Sequence, residues 1–118
     1  MTINEAIDAL DAGHQNTFTR QEKLRWLSWL DGRIWRQIQG KTETFPGYSL
    51  ETDPETVLLV PAPWDEIYLQ YMQAQMDRAN GELDRYENSA ALFNTGFAAY
   101  RNYFNRTNAP QGRYWRYF

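Results

Sequence analysis

The sequence predicts an all-α domain of four helices, a short first one and three longer ones, with an extended middle loop and an extended C-terminal arm. Three observations predict this class. The chain has 118 residues, which is enough for one domain. Capping-box pairs (Thr2 with Glu5, Thr19 with Glu22) indicate two helix starts. Apolar side chains recur at spacings of three and four residues along most of the chain.

The first two helices have defined ends. Thr2 is the predicted N-cap of the first helix, and Gly13 is predicted to end it as the C′ residue. Thr19 is the predicted N-cap of the second helix, which we expect to end at Gly40. Each helix carries one apolar face: Ile3, Ala6, Ile7 and Leu10 in the first, and Leu24, Leu27, Leu30, Ile34 and Ile38 in the second.

Residues 41–63 lack the spacing of apolar residues that is typical of a helix, and they contain several prolines and a glycine, which favour turns and loops. The stretches 42–45 and 56–60 each have the composition of a short strand, and Pro46-Gly47 favours a turn between them. A small β-hairpin is therefore one option for this loop. Its acidic side chains are Glu43, Glu51, Asp53 and Glu55.

The last two helices follow the loop. Pro63 is a favourable first residue for the third helix, and Asn80-Gly81 marks its end or a kink. Asn88 is a candidate N-cap of the fourth helix, although the apolar seam can also run through it. The seam repeats every three or four residues, at Tyr86, Ala90, Phe93, Phe97, Tyr100 and Phe104. Gly96 inside this helix predicts a close helix–helix approach.

The amino-acid composition argues against most kinds of catalytic and metal-binding site. The chain has no cysteine and one histidine, His14, so thiol nucleophiles and multi-histidine metal sites are excluded. Its net charge of −3 gives no reason to expect nucleic-acid binding. No apolar run is long enough to span a membrane, and the acidic N-terminal decapeptide lacks a signal-peptide pattern. We expect a binding protein, with neither an enzymatic activity nor a cofactor or metal.

Aromatic residues make up 16% of the chain, more than a core of this size needs. Trp26, Trp29 and Trp35 flank the apolar face of the second helix, and we assign them to the core and a subunit interface rather than to a stacking platform. The same interface is expected to include the seam residues Phe97, Tyr100 and Phe104.

Residues 88–118 contain four arginines and no acid, and they finish in a hexamer of aromatic and arginine residues. Such residues are enriched at binding hot spots. We therefore divide the chain into a helical domain over residues 1–108 and an interaction arm over residues 109–118. The predicted partner-binding residues of the arm are Arg113, Tyr114, Trp115, Arg116, Tyr117 and Phe118.

Three segments resemble the head–tail connector, or adaptor, proteins of tailed bacteriophages and prophages. They are LRWLSWLDGRI (24–34), LLVPAPWDEIYLQYMQAQMDRANGELDRYENSAALFN (58–94) and YRNYFNRTN (100–108). The ordered combination of the Leu-Val-Pro-Ala-Pro helix start, the Asn-Gly-Glu break and the Arg-Tyr-x-Asn-Ser helix start carries the resemblance.

The resemblance implies a virion protein of the neck, made in the host cytoplasm, that forms a ring, expected to be twelvefold, between the portal and the tail. Such a ring extends the DNA tunnel without binding DNA specifically and docks the stopper or tail-completion protein. It implies that the arm binds the portal protein. In such a ring the acidic loop would line the tunnel or its rim, through Glu43, Glu51, Asp53 and Glu55.

Two other functions remain open on the residues alone. The chain can be a small helical regulatory or toxin-neutralising protein that binds one protein partner through its aromatic surface. It can also be a nucleic-acid-binding module that stacks bases on its arginine-aromatic tail, which predicts salt-dependent binding to single strands.

Overall fold

A computed structural model describes residues 1–108 and confirms the all-α class with four helices. The residues predicted to form the arm, 109–118, lie outside the described part. The second helix continues into a π-helical turn, Ile34–Ile38, and a short 3-10 turn, Trp64–Glu66, leads into the third. The helices are α1 (Ile3–Gly13), α2 (Arg20–Arg33), α3 (Ile67–Ala79) and α4 (Leu83–Asn108).

Both predicted capping boxes are formed. The Thr2 hydroxyl accepts from the Glu5 backbone N–H at 3.1 Å, and the Glu5 carboxylate accepts from the Thr2 N–H at 2.8 Å. Thr19 and Glu22 make the same reciprocal pair. Each box satisfies two of the N–H groups that a helix start leaves without partners, and this fixes where α1 and α2 begin.

The predicted hairpin option is wrong for the described residues, which contain no strand. Residues 54–58 pair instead with the N-terminal residues: the Ile3 N–H donates to the Thr56 carbonyl at 3.0 Å, and Thr2 and Val57 form an isolated antiparallel bridge. The other proposed strand is held elsewhere, because the Phe45 ring packs between Trp35 and Tyr48, 5.4 Å from each. The two halves of the loop therefore have different partners.

The central helix is α3, which packs against each of the other three helices. The seam of α4 faces it, with Phe93, Phe97 and Tyr100 buried as the periodicity predicts. The helix runs through Asn88 and begins at Leu83, directly after the turn made by Gly81 in the left-handed region at φ +71°. The core is one cluster that joins α1, α2, α3 and α4 with Leu58 and Val60 of the loop.

The predicted close helix approach lies at Gly96, where α4 crosses the start of α3. A Cβ at this position would lie 2.8 Å from Cγ2 of Ile67. Since real Cβ atoms do not approach this closely, the distance between the helix backbones depends on the missing side chain.

Candidate functional site

The six residues predicted to form a subunit interface do not share one surface. Trp26, Phe97 and Tyr100 are buried within the chain. The Trp26 ring is covered by Phe18 at a centroid distance of 5.3 Å, and the Arg33 guanidinium lies 4.5 Å from the Phe97 ring centre. These three side chains complete the core of the chain itself, so they are not available to a neighbouring subunit. For Phe97 and Tyr100 the physical reason is that the α4 seam packs against α3.

Trp35 and Phe104 are half-buried. The Trp35 indole N–H donates to the Glu43 carbonyl at 2.8 Å, and the Lys41 ammonium lies 4.0 Å from the ring centre. Phe104 contacts Tyr100 at a centroid distance of 6.1 Å. Both rings mainly hold parts of the same chain together, and each leaves only part of its surface free.

Trp29 is the one of the six that is largely exposed, at 54% of its surface. It lies on the outer face of α2, where the Arg25 guanidinium sits 6.0 Å from its ring centre. Beside it, Arg25, Ser28, Tyr48 and Leu50 contribute to a groove of about 380 Å³, and Leu50 is itself 61% exposed. Tryptophan, arginine and tyrosine are the residues that dominate binding energy at interfaces. This outer α2 face is therefore the candidate binding surface of the described residues.

The acidic side chains of the loop all lie at the surface. Glu43, Glu51, Asp53 and Glu55 are all exposed, and Asp53 accepts a hydrogen bond from the Glu55 backbone N–H at 2.9 Å. Glu51 also lines the α2 groove, so the groove contains a negative charge as well as the positive charge of Arg25. The outer α2 face thus has positive and negative side chains, Arg25 and Glu51, together with the exposed apolar side chain of Leu50.

A buried carboxylate fixes the loop against the helices. Asp31 of α2 is fully buried and accepts three hydrogen bonds: from the Tyr48 hydroxyl at 2.6 Å, the Tyr68 hydroxyl at 2.6 Å and the Leu59 backbone N–H at 3.1 Å. The Tyr68 oxygen in turn accepts from the Val60 N–H at 2.8 Å. One carboxylate therefore joins α2, both arms of the loop and α3.

The ionisation of this cluster is set by burial. Burial raises the pKa of Asp31, against the opposing effect of the hydrogen bonds from Tyr48, Tyr68 and Leu59. Burial, together with the charge of Asp31, also raises the pKa of both tyrosine hydroxyls, which keeps them protonated as donors. We interpret the cluster as a structural clamp that positions Tyr48 in the α2 groove.

The sequence contains a signal for this clamp in the position of Asp31 on α2. Asp31 follows Leu27 by four residues and precedes Ile34 by three, so it lies on the apolar face of the helix. A carboxylate at such a position requires donors, because an unpaired buried charge is strongly unfavourable. Which groups supply them depends on tertiary contacts 17, 28 and 37 residues away, which the sequence does not reveal.

The raised pKa of Asp31 predicts a pH dependence of stability. The folded chain binds this proton more tightly than the unfolded chain, so the contribution is fully present below the ordinary value of 3.8 and is lost as pH rises through the folded pKa. Free energies of unfolding from urea titrations at successive pH values should show the wild-type advantage over Asp31→Asn shrinking as pH rises. A difference that grows with pH would contradict the raised pKa.

Other polar groups have local roles. The Lys23 ammonium is buried and pairs with Asp11 of α1 at 2.7 Å. Burial opposes ionisation of Asp11, but hydrogen bonds from Lys23 and Asn16 outweigh it and lower its pKa. His14 lies exposed at the end of α1.

Residues 1–108 hold no helix that is long and apolar enough to cross a bilayer. The same residues bring together no group of three or more His, Asp or Glu side chains that could hold a metal ion.

The chain matches none of the known protein families, curated proteins or solved structures with which we compared it.

Proposed function

We propose that this chain is a structural subunit of a phage head–tail connector, assembling as a ring between the portal and the tail. The observation that carries the proposal is the outer α2 face, where Trp29 and Leu50 remain exposed while the helices and the loop of residues 1–108 already bury one continuous core. The resemblance of residues 24–34, 58–94 and 100–108 to connector proteins supports it, as does the four-helix fold.

The outer α2 face, which has both charged and apolar side chains, suits contacts between copies in a ring. A ring requires heterologous contacts, in which each copy presents one surface to one neighbour and a different surface to the other. The outer α2 face supplies one such surface, with Trp29 as its anchor and Arg25 and Glu51 as charged groups that set orientation. The clamp at Asp31 fixes Tyr48 and hence one side of this surface.

Substitution of Trp29 tests the surface directly. Trp29→Ala is expected to leave the fold intact, because more than half of the side chain is exposed, and to abolish ring assembly on the portal. Leu83→Ala is the matched control, since Leu83 is 68% exposed but lies on α4, away from the groove. The measurement is co-sedimentation of each variant with portal particles, with circular dichroism to verify helical content.

Removal of the arm tests the portal contact separately. Deleting residues 109–118 is expected to preserve the helical fold and to abolish binding to the portal, because the arm carries four aromatic and two arginine anchors. If the deleted chain unfolds, the arm belongs to the core and the portal role is contradicted. If both variants still bind the portal, or if the wild type binds one soluble protein partner instead, the regulatory alternative replaces the connector.

A further inference from the structure

A second groove is formed by residues of α1, α3 and α4, and none of the residues that line it also lines the α2 groove. Its volume is about 430 Å³, and its apolar walls include Leu10, Leu69 and Leu92. Leu92 is 60% exposed, which makes it comparable with Trp29 and Leu50 of the outer α2 face. The described part of the chain therefore presents two separate grooves, each with an exposed apolar side chain.

The two places offer different halves of an apolar contact. At the outer α2 face, the Trp29 ring is more than half exposed and lies beside the α2 groove rather than among its lining residues. At the second groove, Leu69 and Leu92 belong to a concave apolar wall. Tryptophan anchors protein interfaces most strongly when its ring enters a well-packed pocket on the partner. An exposed indole and an apolar groove on the same chain can thus complement each other between two copies.

The charges beside the two apolar places are opposite. The Arg25 guanidinium lies 6.0 Å from the Trp29 ring centre, so a partner that receives the ring also meets this positive charge. Glu66 lines the second groove together with Leu92. Both charged side chains are exposed, and neither forms an ion pair within residues 1–108. A contact between the two places would pair a guanidinium with a carboxylate and so orient the two copies.

We propose that the outer α2 face of one copy docks into the second groove of the next copy, with Trp29 against Leu69 and Leu92 and with Arg25 facing Glu66. The contact is heterologous, because two different surfaces of the chain meet. Each copy therefore keeps one surface free for a further copy, as a closed ring requires. The inference rests on the connector function proposed above, for which it names the second surface.

Cross-linking of introduced cysteines tests which surfaces meet, because the chain has no cysteine of its own. Leu50→Cys labels the outer α2 face and Leu92→Cys labels the second groove, and both leucines are exposed. When the two variants are mixed with a short bismaleimide cross-linker, we expect the dimer that contains one chain of each to exceed both homodimers. Leu83→Cys is the matched control for Leu92→Cys, since Leu83 is an exposed leucine of the same helix outside both grooves, and it should give no such excess.

Charge reversal tests how the two copies are oriented. Arg25→Glu in the chain with Leu50→Cys, or Glu66→Arg in the chain with Leu92→Cys, should lower the yield of the mixed dimer by at least about fivefold, because two like charges then meet. Combining the two reversed chains should restore the yield, because the charges are again opposite. Circular dichroism verifies that each variant is folded.

Three results overturn the inference: a mixed dimer no more abundant than in the control pair; an excess of the Leu50→Cys homodimer, which would show that two outer α2 faces meet symmetrically; or no recovery when both charges are reversed. The connector function is measured separately, by co-sedimentation of the wild-type chain with portal particles. If the chain binds the portal without an excess of the mixed dimer, the proposed contact is wrong and the connector function stands. If the mixed dimer is in excess but the chain does not bind the portal, the contact stands and the connector function is wrong.

Discussion

Replacing Asp31 with alanine is expected to lower the free energy of unfolding by at least about 3 kcal/mol, because it leaves three hydrogen-bond donors without an acceptor. The variant leaves three donors, the Tyr48 and Tyr68 hydroxyls and the Leu59 N–H, without their acceptor. Each such loss in a buried site costs about 1–3 kcal/mol. Urea denaturation monitored by circular dichroism measures the total.

The control for Asp31→Ala is Asp8→Ala, which removes an exposed carboxylate from α1 and should change stability by no more than about 0.5 kcal/mol. Hydrogen exchange adds a local readout, because the amides of Leu59 and Val60 should lose protection first. If Asp31→Ala is as stable as Asp8→Ala, the clamp does not hold the loop.

Gly96→Ala is expected to destabilise the chain even though alanine is the better helix former. The new Cβ would meet Ile67 at 2.8 Å and Gln70 at 3.1 Å. Ile67 is buried and β-branched, so its side chain has few alternative rotamers. Overpacking of about 1–3 kcal/mol thus exceeds the gain of up to about 1 kcal/mol in helix propensity. Gly96→Val should cost more, since it adds two methyl groups and loses much of the propensity gain.

Gly13→Ala is the matched control for this prediction. Gly13 ends α1, has no atom within 4 Å of a built Cβ and does not have a positive φ. Its substitution should be neutral or stabilising in the same thermal and urea denaturation experiments. Equal effects of the two alanine substitutions would contradict the close approach of α3 and α4.

Local signals predicted the helices well because they act within one or two turns. The capping boxes at Thr2 and Thr19 need only a partner three residues away, and both form. Gly96 also gave a correct prediction, since a glycine inside a helix lowers its stability and is favoured in a regular seam where two backbones come close. The turn at Gly81 requires a positive φ that glycine adopts without strain.

Features that depend on contacts between residues far apart in the chain could not be predicted from such local signals. The helix that begins with α2 continues as a π-helical turn at Ile34–Ile38. Whether a turn is π-helical or α-helical depends on side-chain packing rather than on the helix propensity of its residues. Residues 54–58 pair with residues 1–4, which lie far away in the chain, so the nearby segment 42–45 was the wrong partner. The burial of Trp26 depends on Phe18, and that of Phe97 on α3 and Arg33. Aromatic excess predicted a binding surface but did not indicate that Trp29 would be its exposed member.

The connector proposal predicts that this chain is part of a tailed-phage particle. Electron cryomicroscopy of that particle, with the neck resolved well enough to trace helices, tests the proposal most directly. We expect a ring of copies of this four-helix fold between portal and tail, with Trp29 of each copy buried against a neighbour and residues 113–118 against the portal. Absence of the chain from purified particles, or a neck in which the outer α2 face contacts nothing, would contradict the proposal.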